Sequence, residues 1–289
     1  SEGNPAVSPD GRFLAYAATA GIRKGYNGAE LVIKDFKTGE TRTLTDTLDR
    51  SIADIQWSDN SKRIWIGYDD LGVGRVAEVD LNGKLRKAEI VIGGTAIGRP
   101  YTSGAFSVGG DAWLAFTQGR DDRPADIAVF RPGKAPLQLT DLNSDLMGQR
   151  QMARVERLVW PSSHDELMIE GWVMKPPGFD PSRQYPMILE IHGGPHAAYG
   201  PNYSTEAQLY AAAGYVVFYT NPRGSTSYGD TFANEIDLAY PGYDYDDLMS
   251  GVDALIEKGF VDPTQLFVTG GSGGGVLTAW IVGKTDRFR

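Results

Sequence analysis

The chain has 289 residues, no Cys and three His, and 28 basic against 37 acidic residues give a net charge of −9. Those counts exclude disulfides, thiolate metal sites and Cys nucleophiles, and they leave little for imidazole metal centres. The negative charge makes nucleic acid and anionic membrane poor partners. Hydrophobic residues at 41% are enough for a core, and the length predicts about two domains. No segment approaches the ~20 apolar residues of a membrane span. Ser1-Glu2-Gly3-Asn4-Pro5 has neither the basic nor the apolar region of a signal peptide and lacks Met, so the expectation is a processed or truncated start. The compartment stays unknown.

Residues 1–145 repeat. Val7-Ser8-Pro9-Asp10-Gly11-Arg12-Phe13 reads as a turn followed by a strand. Trp57-Ser58-Asp59-Asn60-Ser61-Lys62-Arg63 has the same form 50 residues later. Phe106-Ser107-Val108-Gly109-Gly110-Asp111 recurs 49 residues after that. A strand pair follows each copy, turning at Thr38-Gly39-Glu40, Asn82-Gly83-Lys84 and Pro132-Gly133-Lys134. Leu44-Thr45-Asp46 returns as Leu139-Thr140-Asp141. A strand-rich period near 50 residues fits β-propeller blades, with a β-sandwich of coincidental spacing as the alternative. Three blades would leave open edges, since propellers close with about 4–8, so further blades are expected before Ser1.

From about Arg154 strands alternate with helices, which implies a mostly parallel sheet covered on both faces. Charge changes too: residues 1–145 hold 18 basic and 20 acidic residues, and 146–289 hold 10 and 17. The boundary is therefore set at 145/146. Strands are expected over 167–173, 187–191, 215–219 and 266–269. Helices are expected over 206–213, from a cap at Asp246 to about Lys258, and over 276–282. The acidic run from Asp230 to Asp262, with Asp244, Asp246 and Asp247 closely spaced, reads as helix capping and a solvated face rather than a calcium site.

Gly270-x-Ser272-x-Gly274 stands between a predicted strand and a predicted helix, the context a nucleophile elbow requires. The turn exposes the Ser hydroxyl, the flanking Gly avoid collision, and the helix N-terminus favours a developing oxyanion. His192-Gly193-Gly194-Pro195 follows an earlier strand, where a second oxyanion N–H belongs. The N–H groups of Gly194 and Gly273 are the expected pair. Other motifs carry less. Gly283-Lys284-Thr285 ends a helix instead of opening a phosphate loop. His192 and His196 lack the Glu of a zinc helix, so no metal is expected. Asn202-Tyr203-Ser204 matches a glycosylation sequon by chance.

Taken together, the repeats, His192-Gly193-Gly194-Pro195, Asn221-Pro222-Arg223-Gly224-Ser225 with Tyr228-Gly229, and Gly270-Gly271-Ser272-Gly273-Gly274-Gly275 resemble the prolyl oligopeptidase family of serine peptidases. The similarity is to its acylaminoacyl-peptidase and dipeptidyl-aminopeptidase-like branch. The resemblance implies a fold of about three blades of an incomplete β-propeller followed by an α/β-hydrolase domain that is complete only up to its nucleophile elbow. It implies Ser272 as nucleophile, an acyl-enzyme intermediate, and Gly194 and Gly273 as oxyanion donors, with Gly270 and Gly274 as elbow glycines. It also implies short peptides as substrates, a propeller that filters by size, and no cofactor. Family members often have Tyr where this sequence has Gly273; the backbone N–H is retained.

One departure is large. Hydrolase triads run Ser, then Asp or Glu, then His. Of the 17 residues after Ser272 none is His, and Asp286 comes too early for the acid. The expectation is a piece of a longer enzyme, inactive alone. The alternatives are an esterase-type hydrolase and a non-enzymatic binding protein on the same scaffold. Cleavage preference, exo- against endopeptidase action and homo-oligomerisation stay open.

Overall fold

The protein is described from a computed structural model covering residues 2–19, 21 and 25–289. Three four-stranded antiparallel sheets succeed one another, each with its strands adjacent in chain order. The first holds β1 (Glu2–Val7), β2 (Phe13–Thr19), β3 (Ala29–Asp35) and β4 (Thr41–Thr43). The second holds β5 (Ile52–Trp57), β6 (Arg63–Asp70), β7 (Val73–Asp80) and β8 (Leu85–Lys87). The third holds β9 (Phe106–Gly109), β10 (Trp113–Gln118), β11 (Asp126–Phe130) and β12 (Leu137–Gln138).

The repeated residues make repeated hydrogen bonds. Ser8 Oγ accepts from Phe13 N at 2.9 Å, and Ser58 Oγ from Arg63 N at 3.1 Å. Asp10 and Asn60 side chains accept from Arg12 N and Lys62 N at 3.0 Å. The Leu-Thr-Asp segments also match. Leu44 N and Leu139 N donate to the carbonyls of Leu31 and Ile127, whose own N–H groups donate to Thr45 and Thr140 at 2.8 Å.

The third copy departs from the expected turn. Ser107 lies inside β9, and the reversal comes later, in a single 3-10 turn at Gly110–Ala112. Pro9-Asp10 and Asp59-Asn60 supply side-chain oxygens that capture backbone N–H groups. Val108 and Gly109 supply none, so the strand continues.

The second half forms a five-stranded sheet in the order β13-β14-β16-β15-β17. Its strands are β13 (Val155–Pro161), β14 (Met168–Met174), β15 (Tyr185–Ile191), β16 (Val216–Asn221) and β17 (Val261–Gly270). The pairs β13/β14 and β14/β16 are antiparallel; β16/β15 and β15/β17 are parallel. Helices are α1 (Ser144–Met147), α2 (Thr205–Ala212), α3 (Asp230–Ala233), α4 (Asp244–Ile256) and α5 (Gly273–Lys284). Strand alternation divides the side chains between two cores. Val216 and Phe218 join Leu248, Val252 and Leu255 of α4 and Leu277 and Ile281 of α5. Val217 and Tyr219 face the other way, to Trp172, Ala207 and Ala211 of α2.

Three sequence expectations change here. The sheet is not mostly parallel, because two of its four strand pairs are antiparallel. α4 begins at Asp244, so Asp246 sits in its first turn and does not cap it. Nor do all the acids form a solvated face: Glu235, Asp237, Asp253 and Glu257 are exposed, but Asp244 and Asp247 are 1% and 0% exposed. Asp244 accepts from Gly242 N and Tyr245 N, while Asp247 binds Arg223. Acids here still complement the positive end of the helix. The sequon is closed as well: Asn202 is buried and its Nδ2 donates to Tyr101 O. Among the described residues no helix is long and apolar enough to cross a membrane.

The two halves touch through backbone. Leu71 N donates to Ser227 O, Gly72 N to Ser227 Oγ, Gly200 N to Pro100 O, and Tyr203 N to Arg120 O.

Candidate active site

β17 runs parallel beside β15, so their carboxyl ends deliver Gly270 and Ile191 to the same edge as register partners. The chain then turns at once into α5. Ser272 takes φ 55° and ψ −118° at the helix start, a strained setting for a residue with a Cβ. It is exposed, so its hydroxyl stands clear of the sheet.

The glycines around it are required by contact. A Cβ on Gly274 would lie 2.1 Å from Ile191 O, and one on Gly270 would lie 2.6 Å from the Gly274 carbonyl. Gly273 packs directly on the Gly194 peptide, its Cβ position lying 2.9–3.0 Å from Gly194 backbone atoms. Gly194 itself has φ +136°, a conformation open to glycine. The structure thus brings together all five residues singled out from the sequence: Ser272, Gly273, Gly194, Gly270 and Gly274.

The N–H groups divide in a telling way. Gly193 N donates to the Tyr101 hydroxyl at 2.8 Å. Among the described residues the N–H groups of Gly194 and Gly273 have no acceptor. Two adjacent free donors beside an exposed Ser can bind a developing negative oxygen.

The imidazoles are engaged elsewhere. His192 Nδ1 lies 2.8 Å from Gly193 O, which can only accept, so this nitrogen carries the proton. Its Nε2 lies 2.9 Å from Ser225 Oγ, whose hydroxyl donates to Pro222 O at 2.6 Å. Burial lowers the His192 pKa to about 4, so the ring stays neutral. His196 Nδ1 meets Gly224 O at 3.0 Å, and its ring packs on Tyr26. His164 stacks on Tyr243. Among the described residues no group of His, Cys, Asp and Glu is arranged to hold a metal ion.

Sequence reasoning missed four residues here. Arg99 and Tyr101 come from the first half. A Cβ on Gly271 would fall 2.6 Å from Arg99 Nη1, so this guanidinium lies against the elbow. Its Nε donates to Glu206 at 2.8 Å and stands 3.4 Å from Glu190, and these carboxylates hold its pKa above the ordinary value. Glu190 is raised to about 7 by burial, which outweighs Arg99 and the 3.0 Å hydrogen bond from Tyr199. Tyr240 donates to Gly273 O at 2.7 Å, and burial lifts its hydroxyl to about 12. Arg99 and Tyr101 stand in a stretch with no strand pattern, and such irregular segments on a rigid scaffold often serve a site. Tyr240 and Glu190 carry no comparable signal.

The Asn221-Pro222-Arg223 loop supports the site from behind. Asn221 spans Tyr199 through both its oxygen and its nitrogen. Arg223 is buried between Asp247 and Asp165, with Nη2 at 2.9 and 2.8 Å from them.

Comparison with known proteins places the chain. Residues 201–289 match the profile of the prolyl oligopeptidase family. The chain is 34% identical over 285 residues to the uncharacterized peptidase YuxL of Bacillus subtilis, covering 92% of this chain and 42% of that protein. It is 28% identical over 289 residues to dipeptidyl-peptidase 5 of Porphyromonas gingivalis, covering 98% and 40%. The chain therefore spans about two fifths of the length of the curated relatives it matches. In fold it is similar to the acylaminoacyl peptidase of Pyrococcus horikoshii, with a TM-score of 0.81 at 24% identity, over 96% of this chain and 42% of that one.

Proposed function

We propose that the chain, whose residues 201–289 match the profile of the prolyl oligopeptidase family, carries the nucleophile and oxyanion hole of a serine peptidase acting on short peptides. Ser272 attacks the scissile carbonyl, and the N–H groups of Gly194 and Gly273 bind the oxygen as it becomes negative. The tetrahedral species collapses with cleavage of the C–N bond, the amine leaves with a proton, and water then hydrolyses the acyl-enzyme on Ser272 to the free acid. The observation that carries this reading is the contact of Gly273 with the Gly194 peptide beside an exposed Ser272 at φ 55°.

In this reading residues 1–145 are successive propeller blades that narrow access to the site, and residues 146–289 are the catalytic domain. The peptidase names of the relatives support peptide over ester substrates. The activating imidazole is not one of the three in this sequence, because each is engaged away from Ser272. A polypeptide of this sequence alone is therefore expected to be inactive.

On the whole protein, Ser272→Ala should lower cleavage of aminoacyl-nitroanilides by at least ~10³-fold, the scale set by removing a triad nucleophile. Faster turnover of p-nitrophenyl esters than of any aminoacyl-nitroanilide would favour an esterase instead. Rapid labelling of the 289-residue polypeptide by a fluorophosphonate, abolished in Ser272→Ala, would contradict the expected inactivity.

A further inference from the structure

The two clefts between neighbouring repeat sheets are built from equivalent positions, and they differ in character. The Ser8 and Ser58 turns fix the equivalence of Phe13 with Arg63. Strand pairing then matches Ala15 with Trp65 and Ile33 with Glu78. Between the first and second sheets Phe13 and Ile33 are buried, and Phe13 stacks on Trp57. Between the second and third sheets an ion pair of Arg63 and Glu78 takes those places. Beside that pair lies a cavity of about 460 Å³, a size common for small-molecule sites.

Its walls combine apolar and cationic groups. Trp65 and Phe130 are buried among the lining residues. Among the described residues, four cations line it (Arg63, Arg86, Lys87, Arg131) against Glu78 and Glu89, in a chain of net charge −9. Two of the cations are occupied. Arg63 Nη1 lies 2.6–2.7 Å from both Glu78 oxygens, and Lys87 reaches Asp70 at 3.4 Å. The other two have capacity to spare. Arg86 approaches Glu78 only to 3.8 Å, and Arg131 rests over the Trp113 ring with no carboxylate partner among the described residues. The Trp65 indole N–H is buried without an acceptor.

We propose that this cleft binds a small, flat organic anion bearing a carboxylate or a phosphate. Arg86 and Arg131 take the acidic group, and Trp65 and Phe130 supply the apolar wall. The cleft lies at the end of the sheets that carries the Gly133 turn, whereas the Leu71-Gly72 turn and Arg120 at the opposite end meet the hydrolase-type sheet. Binding there is separate from the chemistry at Ser272.

Calorimetric titration of the purified protein with isophthalate, with phenyl phosphate, and with neutral benzamide tests the site. Saturable binding of at least one anion is expected, weakened about tenfold in Arg131→Glu and in Arg86→Glu and by added salt. Benzamide should not bind, and Ser272→Ala should bind as the unaltered protein does. The stronger of the two anions identifies the acidic group. Because both Arg heads are exposed, circular dichroism should show both variants folded. The proposal fails if neither anion saturates, if benzamide binds equally, or if both folded variants retain full affinity.

Discussion

In the repeat sheets, Ser8 and Thr45, both buried, find partners close by in sequence. Ser8 reaches Asp10 and Phe13, two and five residues away, and Thr45 meets Leu31, 14 away. In the five-stranded sheet the partners are remote. Arg223 binds Asp247, 24 residues on, and Asp165, 58 back, while Arg99 reaches Glu206 across 107. Local bonding lets a repeat survive with its own turn, so one unit can be copied. Remote bonding ties the elbow, the Asn221-Pro222-Arg223 loop and a segment of the first half into one arrangement. Disturbance in the second region should therefore be felt more widely than in the first.

The sharpest break should come from Asp247→Ala, which strands the Arg223 guanidinium at 2% side-chain exposure. A loss of about 3–5 kcal/mol is expected in urea unfolding. A loss below about 1 kcal/mol would mean that Asp165 alone holds Arg223, since that is the range of an exposed pair.

Glu190 comes next. Its pKa in the fold, about 7, lies above its ordinary value of 4.5, so the folded state binds the extra proton. That contribution is complete below about pH 4.5 and disappears as pH rises through about 7. Glu190→Gln should therefore be more stable than the parent by about 1–3 kcal/mol at pH 8 and show no gain at pH 4. Thermal unfolding at both pH values checks this, and an equal effect at both would show that Glu190 is already ionised in the fold.

The smallest effects should fall in the repeats. Ser8 is buried and Ser58 is not, though their bonds match. Ser8→Ala should cost about 1–2 kcal/mol and Ser58→Ala about 0.5. Equal costs would show that burial does not separate the two turns.

Much of this could be read in advance. The Ser-x-Asp and Ser-x-Asn turns and the hairpin glycines obey local rules, and the strands of the first two repeat sheets follow them. The elbow was legible for the same reason, since Gly270, Ser272 and Gly274 meet a backbone demand within five residues. Ser107 misled because an apolar residue and a Ser mimic the repeat without the acceptor that closes the turn.

Sequence by itself thus determined most elements, the repeat and the tight turn around Ser272, all of which depend on neighbours along the chain. Tertiary structure alone decided that Gly273 rests on Gly194, that Asp247 is buried against Arg223, and that Arg99 crosses from the first half to the elbow. It also decided that one inter-sheet cleft is sealed by Phe13 and Ile33 while the next is lined by Arg63 and Glu78. Each of these depends on which distant groups burial brings into contact, and a residue's type and neighbours do not specify that.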